Sequence, residues 1–327
     1  MRAIVLTRTG GPEALSCTTL PDPRPAQGEV LIDVQATALN YADLLQRRGT
    51  YGTPALLPSV LGIECSGTVA EIGPGVTGWT VGDRVCALVS GGAYAERCCA
   101  PATQLMPVPA GVDLTSAAAL PEAACTVWSN LIDIARLAAP DVLLVHGGAG
   151  GIGSFALQVA RALGLRAFAT AGDARKLARC VELGAERAIS YRSEDFVAVL
   201  KHETAGRGAD VILDNMGAGY LTRNIDALAP DGRIAMIGLQ SGRDGEIALG
   251  KMMGKRAALF TTSLRDRPLA AKARIVAGVL ADFWPLLSTA KLAPVVDTVF
   301  PLAEMDKAHA YMESGQHIGK IVVDCKT

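Results

Sequence analysis

Apolar positions over the first ~120 residues fall into short β-branched or alternating runs, the pattern of half-buried strands. These runs are Arg2–Thr7, Glu29–Thr37, Gly67–Ile72, Arg84–Val89 and Ala93–Cys99. Turn formers such as Pro21-Asp22-Pro23 and Gly73-Pro74-Gly75 separate them. One helix is predicted, Tyr41–Arg48. The pattern points to a small antiparallel barrel or folded sheet. From about residue 125 the rhythm becomes strand then helix, repeatedly. Predicted strands are Val142–His146, Arg166–Ala171, Ala188–Ser190, Val211–Asp214, Arg233–Leu239 and Leu259–Thr262. Helices Ile152–Leu163, Ala174–Leu183, Glu194–His202 and Tyr220–Leu228 lie between them. Such alternation builds a parallel sheet covered on both faces, and right-handed crossovers make it an α/β doubly wound fold. The last ~60 residues leave this repeat: a longer amphipathic helix, Lys272–Leu287, precedes a strand, a helix and a strand at Val295–Phe300, Leu302–Met312 and Lys320–Val323. They are expected to pack back on the N-terminal part, giving a discontinuous domain of residues 1–122 and 268–327 around a second domain of residues 123–267.

Length agrees with two domains: 327 residues against a prior of roughly 150 per domain. Half the residues are hydrophobic and 19% are charged, enough apolar mass for packed cores. Thirty-one basic residues against 32 acidic ones leave a net charge of −1, which gives no general attraction to nucleic acid or to an anionic membrane. No apolar run reaches the ~18 residues of a membrane helix, and the N-terminus reads as a first strand rather than a signal region, so a cytoplasmic protein is expected. The eight cysteines contain no C-x-x-C spacing, and most are expected to be small buried hydrophobes.

Chemistry enters at Val142-Leu143-Leu144-Val145-His146-Gly147-Gly148-Ala149-Gly150-Gly151-Ile152-Gly153. Gly148, Gly150 and Gly153 match G-x-G-x-x-G between a predicted strand and a predicted helix. One glycine makes the turn, one admits a pyrophosphate to the backbone, and one lets the helix pack on the strand. The helix N-terminus then faces the anion. No carboxylate stands at the tip of the second strand, which ends Ala169-Thr170-Ala171-Gly172. Lys176 and Tyr191 are near the same edge and suit a 2′-phosphate, favouring NADPH. Asp173, two residues beyond the tip, suits a helix N-cap and would oppose NADPH if it pointed inward.

These and further motifs resemble the zinc-free quinone oxidoreductase branch of the medium-chain dehydrogenase/reductase superfamily, and within it the p53-inducible quinone oxidoreductase group. The matching stretches run the length of the chain: Gly10-Gly11-Pro12-Glu13, Ala38-Leu39-Asn40-Tyr41-Ala42-Asp43-Leu44, Leu61-Gly62-Ile63-Glu64-Cys65-Ser66-Gly67, Ala118-Ala119-Leu120-Pro121-Glu122, Thr262-Ser263-Leu264-Arg265 and Ile318-Gly319-Lys320-Ile321-Val322. The resemblance implies a GroES-like β-rich catalytic domain beside a Rossmann domain, with NADPH in the cleft between them. It places Asn40 and Tyr51 at the nicotinamide and substrate, and Thr126 near the nicotinamide. It places Gly150, Gly151, Ile152 and Gly153 on the pyrophosphate, and Lys176 and Tyr191 on the 2′-phosphate. Gly148, Gly172, Asn215, Gly238, Leu239 and Thr262 complete the implied cofactor set. It also implies a homodimer paired through the edge of the Rossmann sheet.

No metal is expected. Zinc-dependent relatives carry histidine in a Gly-His-Glu triplet and a cysteine near position 40; here the triplet is Gly62-Ile63-Glu64 and position 40 is Asn40. Isoleucine offers no lone pair. The four histidines are scattered and read as surface or capping residues. Without a Lewis acid, alcohol oxidation loses support, while hydride delivery to an electron-poor acceptor remains, because that chemistry belongs to the cofactor. The expected activity is NADPH-dependent reduction of a quinone, with Tyr51 and Asn40 as hydrogen-bond donors to the developing oxyanion. The alternatives are reduction of an enone, alkenal or enoyl thioester, and cofactor binding without turnover.

Overall fold

The structure, a computed structural model, describes residues 1–52 and 56–327. The chain forms two compact units. One comprises Met1–Ala123, Arg265–Ser288 and Pro294–Thr327; the other comprises Ala124–Leu264 and Thr289–Ala293.

The first unit is built on a seven-stranded sheet. Its central strand, Glu29–Ala38, pairs antiparallel with Glu64–Ile72, Arg97–Pro101 and Lys320–Asp324. Val30, Ile32 and Val34 on that strand are fully buried, in a core with Ile4, Leu6, Leu105, Ile321 and Val323. The C-terminal strand therefore belongs to this unit, with Val322 opposite Ala38. Arg2–Leu6 forms a small separate sheet with Leu15–Thr19 and Ser59–Val60. Leu15–Thr19 is absent from the sequence reading because its Ser-Cys-Thr-Thr stretch is exposed and lacks apolar alternation. The strand expected at Ala93–Cys99 begins only at Arg97. Before it, the Tyr94 N–H donates to Leu61 O and the Tyr94 carbonyl accepts from the Ile4 N–H, so these groups are satisfied outside a regular ladder.

The second unit is a parallel six-stranded sheet in the order Arg187–Ser190, Arg166–Ala171, Val142–Val145, Ala209–Asp214, Leu228–Met236, Ala258–Thr261. In order of appearance this is 3-2-1-4-5-6, the Rossmann arrangement, whose ligand site lies at the carboxyl ends around the first strand. Val142–Val145 is buried throughout, as a central parallel strand covered on both faces must be. Ala258–Thr261 is the edge strand and is only partly covered.

Two expected elements differ in kind. The long helix Lys272–Leu287 is two helices, Leu269–Asp282 and Trp284–Ser288. Pro285 has no N–H to donate backward, and its ring crowds the preceding turn. After Pro121–Val127 the chain continues as a π-helical segment, Trp128–Ile134, which periodicity did not foresee. Among the described residues no helix is long and apolar enough to cross a membrane.

Candidate active site

In the second unit, the strand Val142–Val145 runs through the glycine loop into the helix Gly151–Ala162. Gly147 adopts φ +66°, a region L residues rarely occupy. A Cβ on Gly148 would sit 2.5 Å from Ala169 Cβ, and one on Gly153 would meet the Gly147 carbonyl. Those two glycines are required by packing. Gly150 differs: it caps the helix, and a Cβ there would meet only Gly147 O, at 3.4 Å. The loop is therefore closed on its protein side and open at Gly150. The N–H groups of Gly151, Ile152 and Gly153, in the first turn, have no intrahelical acceptor. Beside the loop, at the end of strand Ala209–Asp214, the Asn215 side-chain oxygen is buried without a hydrogen-bond partner. A turn of open backbone donors beside an unsatisfied buried acceptor fits a dinucleotide. Gly238 packs on Asn215, since a Cβ there would lie 2.8 Å from Asn215 O, and exposed Leu239 follows it.

Gly172, Asp173, Lys176 and Tyr191 share one corner at the carboxyl ends of the second and third strands, where Ala171 is in register with Ser190. A Cβ on Gly172 would collide with the Tyr191 hydroxyl, so glycine there makes room for the phenol. The Asp173 side chain accepts from the Lys176 N–H at 3.0 Å, which turns the carboxylate into the helix end as an N-cap.

Thr126 and Thr262 meet through a residue that sequence reading missed. Asn130, in the π-helical segment and 2% exposed, donates to Thr126 O at 2.8 Å and accepts from Thr262 Oγ1 at 2.7 Å. The wide turn lets that side chain reach back to a carbonyl four residues earlier.

Two histidines expected at the surface or in caps are buried instead. His146 contacts Thr170 Oγ1 at 3.1 Å and Asn224 Oδ1 at 2.7 Å, and packs edge-on against Phe196 and Tyr220. Burial, reinforced by the Arg223 charge, pulls its pKa down to about 4. His309 lies between Arg47 and Tyr94, and burial followed by the Arg47 charge lowers it to about 3. Both rings are neutral near pH 7, which lets each accept one hydrogen bond and donate another.

In the first unit, Asn40 precedes the helix Tyr41–Arg48, and Asp43 accepts from its N–H at 2.9 Å. The Asn40 amide donates to Glu64 Oε1 at 2.8 Å and accepts from Lys320 Nζ at 2.6 Å. Lys320 lies 2.6 Å from Glu64 Oε1 and also donates to Leu39 O. Glu64 Oε2 accepts from the Glu122 N–H at 2.8 Å. Zinc does not fit here: Ile63 has no donor, and the Asn40 and Glu64 oxygens already hold an ammonium. Among the described residues no three His, Cys, Asp or Glu side chains converge as a metal site. Tyr51 follows the same helix, with the Arg265 guanidinium 5.2 Å from its ring centre.

Residues 26–110 match the alcohol dehydrogenase GroES-like domain family, and residues 183–323 the zinc-binding dehydrogenase family. The chain is 32% identical over 334 residues to a 2-haloacrylate reductase of Burkholderia sp, covering 98% of each. It is 30% identical over 300 residues to a mycocerosic acid synthase-like polyketide synthase of Mycobacterium tuberculosis, of which it spans 14%. The structure superimposes on Escherichia coli quinone oxidoreductase complexed with NADPH at a TM-score of 0.91, with 30% identity, covering 99% of this chain and 100% of that one.

Proposed function

The chain belongs to the medium-chain dehydrogenase/reductase superfamily, among its quinone oxidoreductases, and on that premise we propose that it is an NADPH-dependent quinone reductase that uses no zinc. The observation that carries the cofactor assignment is the glycine turn opening onto the buried, unpartnered Asn215 oxygen. NADPH, when bound, supplies the hydride. The glycine loop and the first turn of Gly151–Ala162 hold the pyrophosphate. Lys176 and Tyr191 hold the 2′-phosphate, with Asp173 withdrawn into its N-cap. Asn130 fixes Thr126 and Thr262, which approach the nicotinamide. Tyr51 donates a hydrogen bond to the acceptor oxygen. Asn40, whose amide is engaged at both ends, positions the helix that leads to Tyr51.

A second reading, reduction of an activated C=C bond, is favoured by the similarity to a 2-haloacrylate reductase over nearly the whole chain. Steady-state NADPH oxidation with 1,2-naphthoquinone and with 2-hexenal separates the two. Turnover of the quinone supports the first reading. Turnover of the alkenal alone transfers the assignment to the second.

The reading extends to a cytoplasmic homodimer paired along the edge strand Ala258–Thr261. An unpaired parallel edge invites symmetric continuation of the sheet. A monomeric mass by light scattering rejects the dimer, and a membrane-bound or secreted fraction on cell fractionation rejects the location.

A further inference from the structure

Lys272 is 2% exposed, yet its hydrogen-bond partner among the described residues is a neutral one, Ser90 Oγ at 2.7 Å. A buried ammonium is normally paired with a carboxylate. Glu122 and Asp266 act on Lys272 through their charge, while Arg265 opposes it. Arg265 converges on the same residue: its Nε donates to the Ser90 carbonyl at 2.9 Å. Its other contacts are also neutral. The Gln46 amide oxygen, oriented by the hydrogen-bond network, accepts from both terminal nitrogens, and the Tyr51 ring lies under the guanidinium plane. Two cations thus meet at one serine with neutral hydrogen-bond partners. Ser90 is exposed and Arg265 and Tyr51 are half-buried, so solvent reaches the cluster. Because Ser90 Oγ accepts from Lys272, its own hydroxyl hydrogen is left to donate elsewhere. A guanidinium N–H and an O–H polarised by an ammonium are both donors that a carboxylate accepts.

We infer that Arg265, Ser90 and Lys272 form an anion subsite beside Tyr51, which takes a carboxylate carried by the electron-poor acceptor. This rests on the reductase reading and narrows its substrate class to acceptors with a carboxylate on the reacting skeleton. In such an acceptor, for example 4-oxo-2-pentenoate, the carbon β to the ketone would gain a C–H bond with the hydride whose C–H bond breaks in NADPH, which leaves NADP⁺. The π pair moves onto the ketone oxygen, where Tyr51 donates. A solvent proton ends on the α-carbon, and the carboxylate is unchanged, serving as the handle held by Arg265 and Ser90.

The test compares 4-oxo-2-pentenoate with its methyl ester, which keeps the enone and removes the charge. In the wild type the acid has the higher kcat/KM. Arg265→Gln lowers the acid-to-ester ratio by about tenfold or more, chiefly through KM, as loss of a charge-assisted hydrogen bond requires. Arg265→Lys keeps part of the ratio, and Lys272→Met lowers it in the same direction. A ratio unchanged within about twofold in both Arg265→Gln and Lys272→Met overturns the subsite. So does a parallel loss of NADPH affinity in these variants, which would assign the cations to the cofactor. Calorimetric titration of 4-oxopentanoate into the NADP⁺ complex reads the subsite without turnover. Binding that Arg265→Gln abolishes supports it even when no acceptor is reduced, in which case the reductase reading alone fails. No binding to the wild type overturns it.

Discussion

Lys320 and Glu64 form an ion pair of 2.6 Å with side chains 5% and 0% exposed, and the Asn40 amide bridges them. An ammonium is the cation that neutralises Glu64. Each remaining oxygen or N–H of the group also has a partner, which is the condition under which a buried pair is tolerated.

Removing one member of that pair should therefore be costly. Lys320→Met leaves the Glu64 carboxylate buried without its cation, and a loss of about 3–5 kcal/mol is expected. Lys320→Met combined with Glu64→Gln should recover a large part of it, because Gln keeps an acceptor for the Glu122 N–H. Urea unfolding of Lys320→Met, Glu64→Gln and the double variant measures the coupling. A double-variant loss equal to the sum of the two single losses would show that the pair contributes no net coupling.

The second unit was legible from sequence because each strand and helix announces itself locally. The glycine spacing, the alternation and the Asp173 cap all depend on residues a few positions apart. The polar contacts were not legible, because their partners are remote in sequence. His146 meets Asn224 across 78 residues, and Lys320 meets Asn40 across 280. A histidine after a strand carries no mark of burial until the fold brings Phe196 and Tyr220 around it. The role of Asn130 depends on a π-helical turn, for which hydrophobic periodicity has no signature. The break at Phe283 did have one, in Pro285, within a stretch read only for its apolar period.

Cofactor preference should follow Lys176. Lys176→Ala is expected to weaken NADPH binding by about 1–3 kcal/mol, the range for a hydrogen bond to a charged group. NADH binding should stay level, since NADH lacks the 2′-phosphate. Fluorescence titration with both cofactors reads the difference. Wild-type protein that binds NADH as tightly as NADPH would mean that Asp173 serves the ribose despite its hydrogen bond to the Lys176 N–H.

Buried neutral His146 makes one contribution to stability pH-dependent. Its folded pKa is depressed to about 4, whereas the unfolded imidazole titrates near ~6.5. The unfolded state binds the proton first, so this contribution is fully present above the unfolded pKa and is lost as pH falls toward the folded one. Asp43 and Asp214, each raised to about 6 mainly by burial, act in the opposite direction and mask the effect in wild-type profiles. The comparison is therefore wild type against His146→Gln, in which both carboxyls are retained. The stability advantage of wild type should shrink by about 2 kcal/mol between pH 7.5 and pH 5. A pH-independent difference would show that the folded imidazole takes up its proton as the unfolded one does, and a difference that grows as pH falls would show that it is protonated in place.

The Tyr51 hydroxyl can be removed by itself. Tyr51→Phe keeps the ring that the Arg265 guanidinium covers at 5.2 Å and removes only the proposed donor to the acceptor oxygen. Cation–π packing survives, so the local fold and NADPH affinity should be unchanged. A hydrogen bond that strengthens as charge develops acts on the transition state, so the loss should appear in kcat. One well-aligned oxyanion donor is worth ~10²–10³-fold. A quinone spreads its charge over a conjugated ring, so a fall of about tenfold is expected with 1,2-naphthoquinone. With 2-hexenal the charge settles on one oxygen and the fall should be larger. Equal rates for Tyr51→Phe and wild type on both acceptors would remove Tyr51 from the chemistry and leave it the role of carrying Arg265.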